Sequence, residues 1–469
     1  MSARAPILGH DPAPGPAPTR RRAPRGEGED APVSSSTAQH PDAVRIALLG
    51  CGTVGSQVVR LLREHADDLA ARAGARLELV GIAVRDTDAE RDPWVPRELL
   101  TADAAALVAR ADIVVELIGG IDPVRPLVLA ALESGATVVT GNKALLAAHG
   151  PELHGAAERS GADLYYEAAV AGAVPVVYGL RESLAGDNVD AVLGIVNGTT
   201  NFILDEMATR GLSFDDALAL AQELGYAEAD PTADVDGHDA AAKAAILASL
   251  AFHTRVSIDD VPVTGIRQVT AADMAEAREA GYVIKLLAVA RRITDNGTRG
   301  ISVRVHPALL PATHPLAAVR GAFNAVVVEA EAAGRLMFYG QGAGGAPTAS
   351  AVLGDLVAAA SHKVHGGNAP RESTYAELPL VTDAQTPART QVQLRLADEP
   401  GTLAAVAGVY GEHGVSIESV RQTGADDGDA RITIVSHLAT EAALAQTVAK
   451  LSDDPRVHEV VSVMRVEGN

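Results

Sequence analysis

VRIALLGCGTVGSQVVRLL, residues 44–62, places an apolar run, a glycine-rich turn and a helix-forming run in immediate succession. Val44 to Leu49 has the composition of a buried strand, and Ser56 to Leu62 that of a helix packed on it. Between them stands G-x-G-x-x-G. Gly50 makes the tight turn, Gly52 lets the backbone approach a pyrophosphate, and Gly55 lets the helix lie close to the strand, with phosphates at the helix N-terminus. A tight turn holding no ligand is the plainer account, and the motif alone does not choose between them. Cys51, between two of the glycines, reads as a small filler.

Working outward, LELVGIAV (77–84), DIVVELI (112–118) and ATVVT (136–140) are further buried strands separated by helical runs. Strands alternating with helices give a doubly wound parallel sheet, whose ligands gather at the strand carboxyl ends. Arg85 and Asp86 close the second strand. An acid there suits a ribose hydroxyl and an arginine a 2′-phosphate, so NADP is favoured over NAD with both open. Lys143, in the turn Gly141-Asn142-Lys143, lies at another such end, as a functional or merely solvated lysine.

The chain has 469 residues, enough for about three domains. A formal charge of -21 argues against nucleic acid as a partner. The single cysteine excludes an internal disulfide and a cysteine-based zinc site, consistent with a reducing compartment. No apolar run is long enough to span a bilayer, so the expectation is a cytoplasmic protein. Residues 1–43, rich in Pro, Ala, Gly, Ser and Arg, are expected to be a disordered extension.

GYAEADPTADVDGHDAAAKAAILASL, residues 225–250, is the chemically loaded segment. From Ala240 it should be an enclosed helix, with Asp239 and Lys243 one turn apart on one face. Two such charges are costly away from water unless paired or used, and burial lowers a lysine pKa toward neutrality. An internal ion pair without function also satisfies that pattern. Glu228, Asp230, Asp234 and Asp236 crowd the preceding loop, and their repulsion makes sense if a substrate ammonium sits among them. Upstream, Glu167 heads Ala168 to Pro175, a run small enough for carbonyls to converge on a hard monovalent cation or to form a packing corner.

Between and beyond these, Asn197 to Asn201 reads as a turn capping a helix from Phe202 to Thr209, and Ala275 to Val289 as a helix. Strands near Ile301 to Val305 and Asn324 to Ala330 suggest a mixed sheet with helices on one face. Met337 to Gly345 is a glycine-rich return before a helix reaching Ser361. Residues 366–388 form a polar linker, and residues 389–469 read as βαββαβ.

Taken with GYAEADP (225–231), Asp234, Gly237, Asp239 and Lys243, and with DEPGTL (398–403) and HGVSIES (413–419), the chain from Val44 onward resembles the homoserine dehydrogenases that carry a C-terminal ACT domain. The resemblance implies a Rossmann-type domain at 44–178 to which 341–365 return, an α+β substrate-binding and dimerisation domain at 179–340, and a ferredoxin-like ACT regulatory domain at 389–469. It implies NAD(P)H-dependent interconversion of L-aspartate 4-semialdehyde and L-homoserine, on the route to threonine, methionine and isoleucine. By that resemblance Lys243 donates the proton, and Gly225, Glu228 and Asp239 bind substrate. Thr53, Val54, Lys143 and Gly344 contact cofactor, joining Gly50, Gly52, Gly55 and Arg85. Glu167 and the carbonyls of Val170, Gly172 and Val174 resemble a sodium site. A threonine effector at the ACT domain and a homodimer or homotetramer are further implications.

Hydride delivered to an aldehyde carbon leaves charge on its oxygen, which a proton or cation must meet as it forms. Lys243 can supply that proton and Lys143 can assist. The competing account is a nucleotide-binding, amino-acid-sensing regulatory protein without hydride transfer, which has no need of Asp239 and Lys243 on a buried face. Schiff-base chemistry at Lys243 is a third.

Overall fold

The computed structural model describes residues 42–295, 298–424 and 429–468. The expected disorder of the N-terminal extension falls on residues 1–41, outside the described residues. The first strand opens at Ala43, within the span read as extension.

Six strands form an all-parallel sheet: β1 (Ala43–Leu49), β2 (Arg76–Ala83), β3 (Leu100–Thr101), β4 (Ile113–Glu116), β5 (Thr137–Thr140) and β6 (Leu164–Tyr165). Their order, β3-β2-β1-β4-β5-β6, reverses between β1 and β4, so a crevice opens at the carboxyl ends of those two strands. Ile46, Leu48, Val114 and Val138 are fully buried, as expected of strands covered on both faces. The helix Thr53–Glu64 follows β1. Beside it lies the helix Gly345–His365, close enough that a Cβ on Gly345 would stand 2.9 Å from the carbonyl oxygen of Thr53.

A second sheet has nine strands: β7 (Val189–Ile195), β8 (Tyr282–Asp295), β9 (Thr298–Pro311), β10 (Phe323–Ala330), β11 (Gly334–Gln341), β13 (Thr390–Ala397), β14 (Ile417–Gly424), β15 (Asp429–Ser436) and β17 (Val457–Val466). Two short strands, β12 (Pro387–Ala388) and β16 (Ala439–Thr440), pair separately. The span expected as a helix to Val289 instead ends its helix at Glu279, and Tyr282 onward is β8. Gly281, at φ 81, breaks the helix. The alternation that marks a strand is hidden because both faces of β8 are covered: Leu286 and Ala288 pack into one apolar cluster, Leu287 and Val289 into another. A continuous apolar run of this kind does not distinguish strand from helix. Lys285, 1% exposed, reaches the Asn201 side chain at 2.8 Å and the Val319 carbonyl at 2.6 Å. Met337 to Gln341, read as part of a glycine-rich return, belongs to β11.

The C-terminal βαββαβ unit does not stand apart. β17 pairs in parallel with β9 through Arg465 with Ala308 and Val466 with Leu309, making the C-terminal strands continuous with β7–β11. Just beyond, the Glu467 carboxylate is buried 2.6 Å from Arg291 and 3.5 Å from His306. Burial opposes its ionisation, but His306, Arg291 and Arg304 outweigh this and bring its pKa down to about 2. The span read as a polar linker is also engaged. Glu372 forms an ion pair with Arg255 at 2.8 Å, Tyr375 stacks on His253, and Val381 N donates to the Ile301 carbonyl at 2.8 Å.

A carboxyl whose folded pKa is depressed stabilises the fold above its unfolded pKa, and that contribution is lost as pH falls toward the folded value. Glu467→Gln should therefore cost about 3 kcal/mol at neutral pH by leaving Arg291 without its carboxylate. The melting-temperature gap to the parent should narrow progressively below about pH 5. Thermal melts of both proteins across pH check this, and a gap constant from pH 7 to 4 contradicts it.

Candidate active site

The helix His238–Phe252 begins after Gly237, whose φ of 87 suits glycine, and it is enclosed along most of its length by Ala, Leu and Phe packing. This apolar setting makes its first-turn acid and its lysine conspicuous. Lys243 Nζ donates to Asp239 Oδ2 at 2.8 Å and to the Val196 carbonyl at 2.7 Å. Lys143 Nζ meets the other oxygen of Asp239 at 3.0 Å. One carboxylate is thus shared by the two lysines, one from the end of the parallel sheet and one from the buried helix.

Local structure fixes each partner. Thr140 Oγ1 donates to the fully buried Glu116 at 2.6 Å, and Glu116 also accepts from the backbone of Ile118 and Gly119, which shapes the turns after β4 and β5. Asn142 caps the helix Lys143–Ser160 by accepting from Leu145 N, and donates to the Gly120 carbonyl at 2.6 Å. Asn197, read as part of a turn, is the N-cap of a helix that already starts at Gly198: its side-chain oxygen accepts from Thr200 N at 2.8 Å. Its amide then bridges Asp234 at 2.7 Å and Asp239 at 2.8 Å. The capping signal was legible in the sequence, but the second use of the same side chain was not.

The electrostatics follow from this arrangement. Burial raises the cost of ionising Asp239, yet the two ammonium groups outweigh it and hold the carboxyl well below the usual carboxylate range. Asp239 in turn holds Lys143 above its ordinary value against partial burial, with Asp234 and Glu228 adding to the effect. Asp234 itself is pushed up, chiefly by burial.

The acidic loop departs from the expected cluster. Thr232–Val235 is a short helix, Asp236 is drawn away to Arg267 at 2.5 Å, and Asp230 accepts from Thr232 N. Relief of repulsion therefore comes from protein partners for three of the four acids, Asp234 accepting from Asn197. Asp234 turns inward and Glu228 remains exposed, acting on Lys143 through its field. Gly225, at φ 77, turns the chain ahead of Tyr226, whose ring lies 4.9 Å from that of Phe202.

On the glycine loop, Gly50 has φ 95 and a Cβ there would lie 2.7 Å from the Leu117 carbonyl oxygen; a Cβ on Gly55 would lie 2.3 Å from that of Gly50. Gly52 faces open space. Thr53 and Val54 form the first turn of the following helix. Gly344, at φ 122, is the N-cap of the neighbouring helix. Arg85 is exposed, while Arg91 reaches the loop, donating to the carbonyls of Cys51 at 2.8 Å and Asp86 at 3.0 Å. Arg91 was not singled out in the sequence, where nothing in the spacing sets it apart. These backbone N–H groups, the open Gly52 face and the adjacent arginines fit a dinucleotide phosphate.

Glu167 is buried, and its two oxygens accept from Val177 N at 3.0 Å and Tyr178 N at 2.7 Å. Its own backbone N–H donates to Asp355 at 2.8 Å. Burial pushes Glu167 and Asp355 up to about 7 each. Val170 and Val174 are fully buried, and Gly172, at φ 58, leaves room only for the Gly342 carbonyl at its α-carbon. Among the described residues no group of three His, Cys, Asp or Glu side chains is arranged to hold a metal, and no helix is long and apolar enough to cross a membrane.

Family models agree with this architecture piece by piece: homoserine dehydrogenase, NAD binding domain, over residues 50–167; homoserine dehydrogenase over 175–357; and ACT domain over 390–456. A homoserine dehydrogenase of Corynebacterium glutamicum is 58% identical over 428 residues, covering 91% of this chain and 96% of that relative. A solved homoserine dehydrogenase from Thiobacillus denitrificans superposes with a TM-score of 0.84 at 38% identity, over 91% of this chain and 98% of the other. A hyperthermophilic archaeal homoserine dehydrogenase solved in complex with NADPH matches at TM-score 0.56 and 28% identity, over 68% of this chain and 97% of its own. A parallel dinucleotide-type sheet, a mixed-sheet second domain whose buried carboxylate meets a lysine from each of the two, and a C-terminal ACT domain thus coincide with these likenesses, and the chain belongs to the homoserine dehydrogenase family of NAD(P)-dependent oxidoreductases.

Proposed function

We propose that the two lysines sharing Asp239 perform the proton and charge work of L-aspartate 4-semialdehyde and L-homoserine interconversion, with Lys243 as proton donor and Lys143 as electrostatic partner. The observation that carries this reading is the single Asp239 carboxylate held at 2.8 Å by one lysine and 3.0 Å by the other. A bound nicotinamide supplies or accepts the hydride. As negative charge develops on the substrate oxygen, Lys243 gives a proton to it and Lys143 stabilises it across the same short distance. In the reverse direction Lys243 takes the proton back. Because Lys243 is anchored by the Val196 carbonyl as well as Asp239, its ammonium is oriented before substrate arrives, which lowers the reorganisation the reaction requires. Gly225, Glu228 and Asp239 form the substrate side, with the exposed Glu228 as partner for the substrate ammonium.

The cofactor in this reading is NADP, with NAD as the second choice, held by Gly50, Gly52, Thr53, Val54, Gly55, Lys143 and Gly344. Arg85, with Arg91 nearby, favours the extra phosphate, and the archaeal relative solved with NADPH supports the choice. A sodium ion fits Glu167 and the carbonyls of Val170, Gly172 and Val174. The support is the buried carboxyl pair of Glu167 and Asp355, both pushed up to about 7, whose ionisation a nearby cation would favour. Threonine binding at the ACT domain, a homodimer or homotetramer, and a cytoplasmic setting complete the proposal, supported by the ACT family match and the single cysteine.

Lys243→Ala should lower kcat about a hundredfold or more while leaving the dissociation constant for NADPH, read by fluorescence titration, within about twofold. Ordinary turnover in that variant refutes the proton role. Separately, sodium chloride should raise the melting temperature more than choline chloride at equal ionic strength, and Glu167→Gln should abolish the difference. Equal effects of the two salts on the parent protein refute the sodium site.

A further inference from the structure

Behind the paired lysines, the helices Lys143–Ser160 and His238–Phe252 enclose a cavity. Its walls include Leu146, Ala147 and Gly150 from the first helix and Ile246, Ser249 and Leu250 from the second, with His154, Tyr166 and His253 adding ring edges to a largely apolar space. Residues 372–374, on the way to the ACT domain, cover it, and the Arg255–Glu372 ion pair stands at the cover.

One end is different. Arg181 lines the cavity with its side chain only 7% exposed, and its Nε and Nη1 are buried without a hydrogen-bond partner. Its contact with Glu182, at 3.4 Å, uses Nη2, and its guanidinium otherwise faces the rings of Tyr165, Tyr166 and Tyr178 at 5.4 to 5.8 Å. The two unpartnered nitrogens lie on different edges of the guanidinium, so each can give a single charge-assisted hydrogen bond to a carboxylate oxygen in a dry setting. A second polar feature lies on the wall. Pro151 has no N–H, so the Ala147 carbonyl lacks its usual in-helix donor on this wall.

We infer that this cavity binds a small amphipathic carboxylate, with its charged end at Arg181 and a branched aliphatic body between the two helices. The two walls are the helices that carry Lys143 and Lys243 one turn or more away. A ligand that wedges them apart lengthens the reach of Lys143 to Asp239, which shares its helix with Lys243, and slows the reaction. This last coupling rests on the activity proposed above; the binding itself does not.

Calorimetric titration of the full chain with isovalerate, with its α-amino analogue valine, and with isoamyl alcohol tests the inference. Saturable binding of isovalerate or valine, with none by the alcohol, is expected; valine binding more tightly assigns the Ala147 carbonyl a part. Binding of the alcohol as tightly as the acids, or of no probe, overturns the inference. Thr374→Trp, which fills the cavity from its cover and leaves both helices untouched, should abolish binding, as should Arg181→Met. If Arg181→Met does not fold, Thr374→Trp decides alone, and undiminished binding in it places the ligand elsewhere and overturns the assignment. The bound acid should lower kcat/KM for homoserine oxidation about fivefold or more, and an unchanged kcat/KM at saturation removes the coupling. Absence of turnover in the unliganded parent protein would instead sink the proposed activity and leave the calorimetric test standing.

Discussion

A single buried carboxylate between two ammonium groups is the constraint on which the site depends. Lys243 needs more than Asp239 in this enclosed setting, because a poorly compensated charge away from water carries a penalty of several kcal/mol, whereas Lys143 keeps part of its side chain in solvent. The Val196 carbonyl and the Asn197 amide complete the coordination of Lys243 and Asp239, and Asp234 adds a further acid within reach of the same amide. Asp239 also ties the end of the parallel sheet to the helix of the second domain. Its two oxygens face different lysines, so the shared contact exists only when both parts of the chain are correctly placed.

The glycine loop poses the complementary problem of closeness. Gly50 and Gly55 are required by backbone contacts that any Cβ would violate, whereas Gly52 is open and free for a ligand. The helix beginning at Gly345 returns from far along the sequence to lie against Thr53. Two helix N-termini therefore stand side by side where phosphate charge would gather, an arrangement that a local motif cannot announce.

How much of this could be read from the sequence depended on whether the signal was local. The parallel sheet, the enclosed helix around Lys243 and the C-terminal βαββαβ order were legible because period and punctuation coincide there. Tyr282 to Asp295 was misread at its start because both faces of that strand are buried, which erases the period of two. The acidic loop was misjudged for a related reason: the partner of Asp236 is Arg267, and no spacing rule reveals such a pairing. Asn197 lay in a turn whose capping signal was legible, though for a helix read as starting at Phe202, and its bridge to Asp234 and Asp239 was not, since that depends on a helix about forty residues further on. Lys143 and Lys243 each had an innocuous explanation alone, and their meeting on Asp239 is the observation on which the proposed roles rest.

The parallel pairing of β17 with β9 has a consequence for biogenesis. β17 lies between β9 and β13 in the interior of the nine-stranded sheet, although it is made after every other strand in it. During synthesis, which proceeds from the N-terminus, β9 must wait with an unfilled edge until that late segment emerges. Such an edge invites pairing with a neighbouring chain. A ribosome that stalls before residue 457 thus releases a molecule with its parallel sheet and lysine helix already encoded but with a sticky seam through its middle.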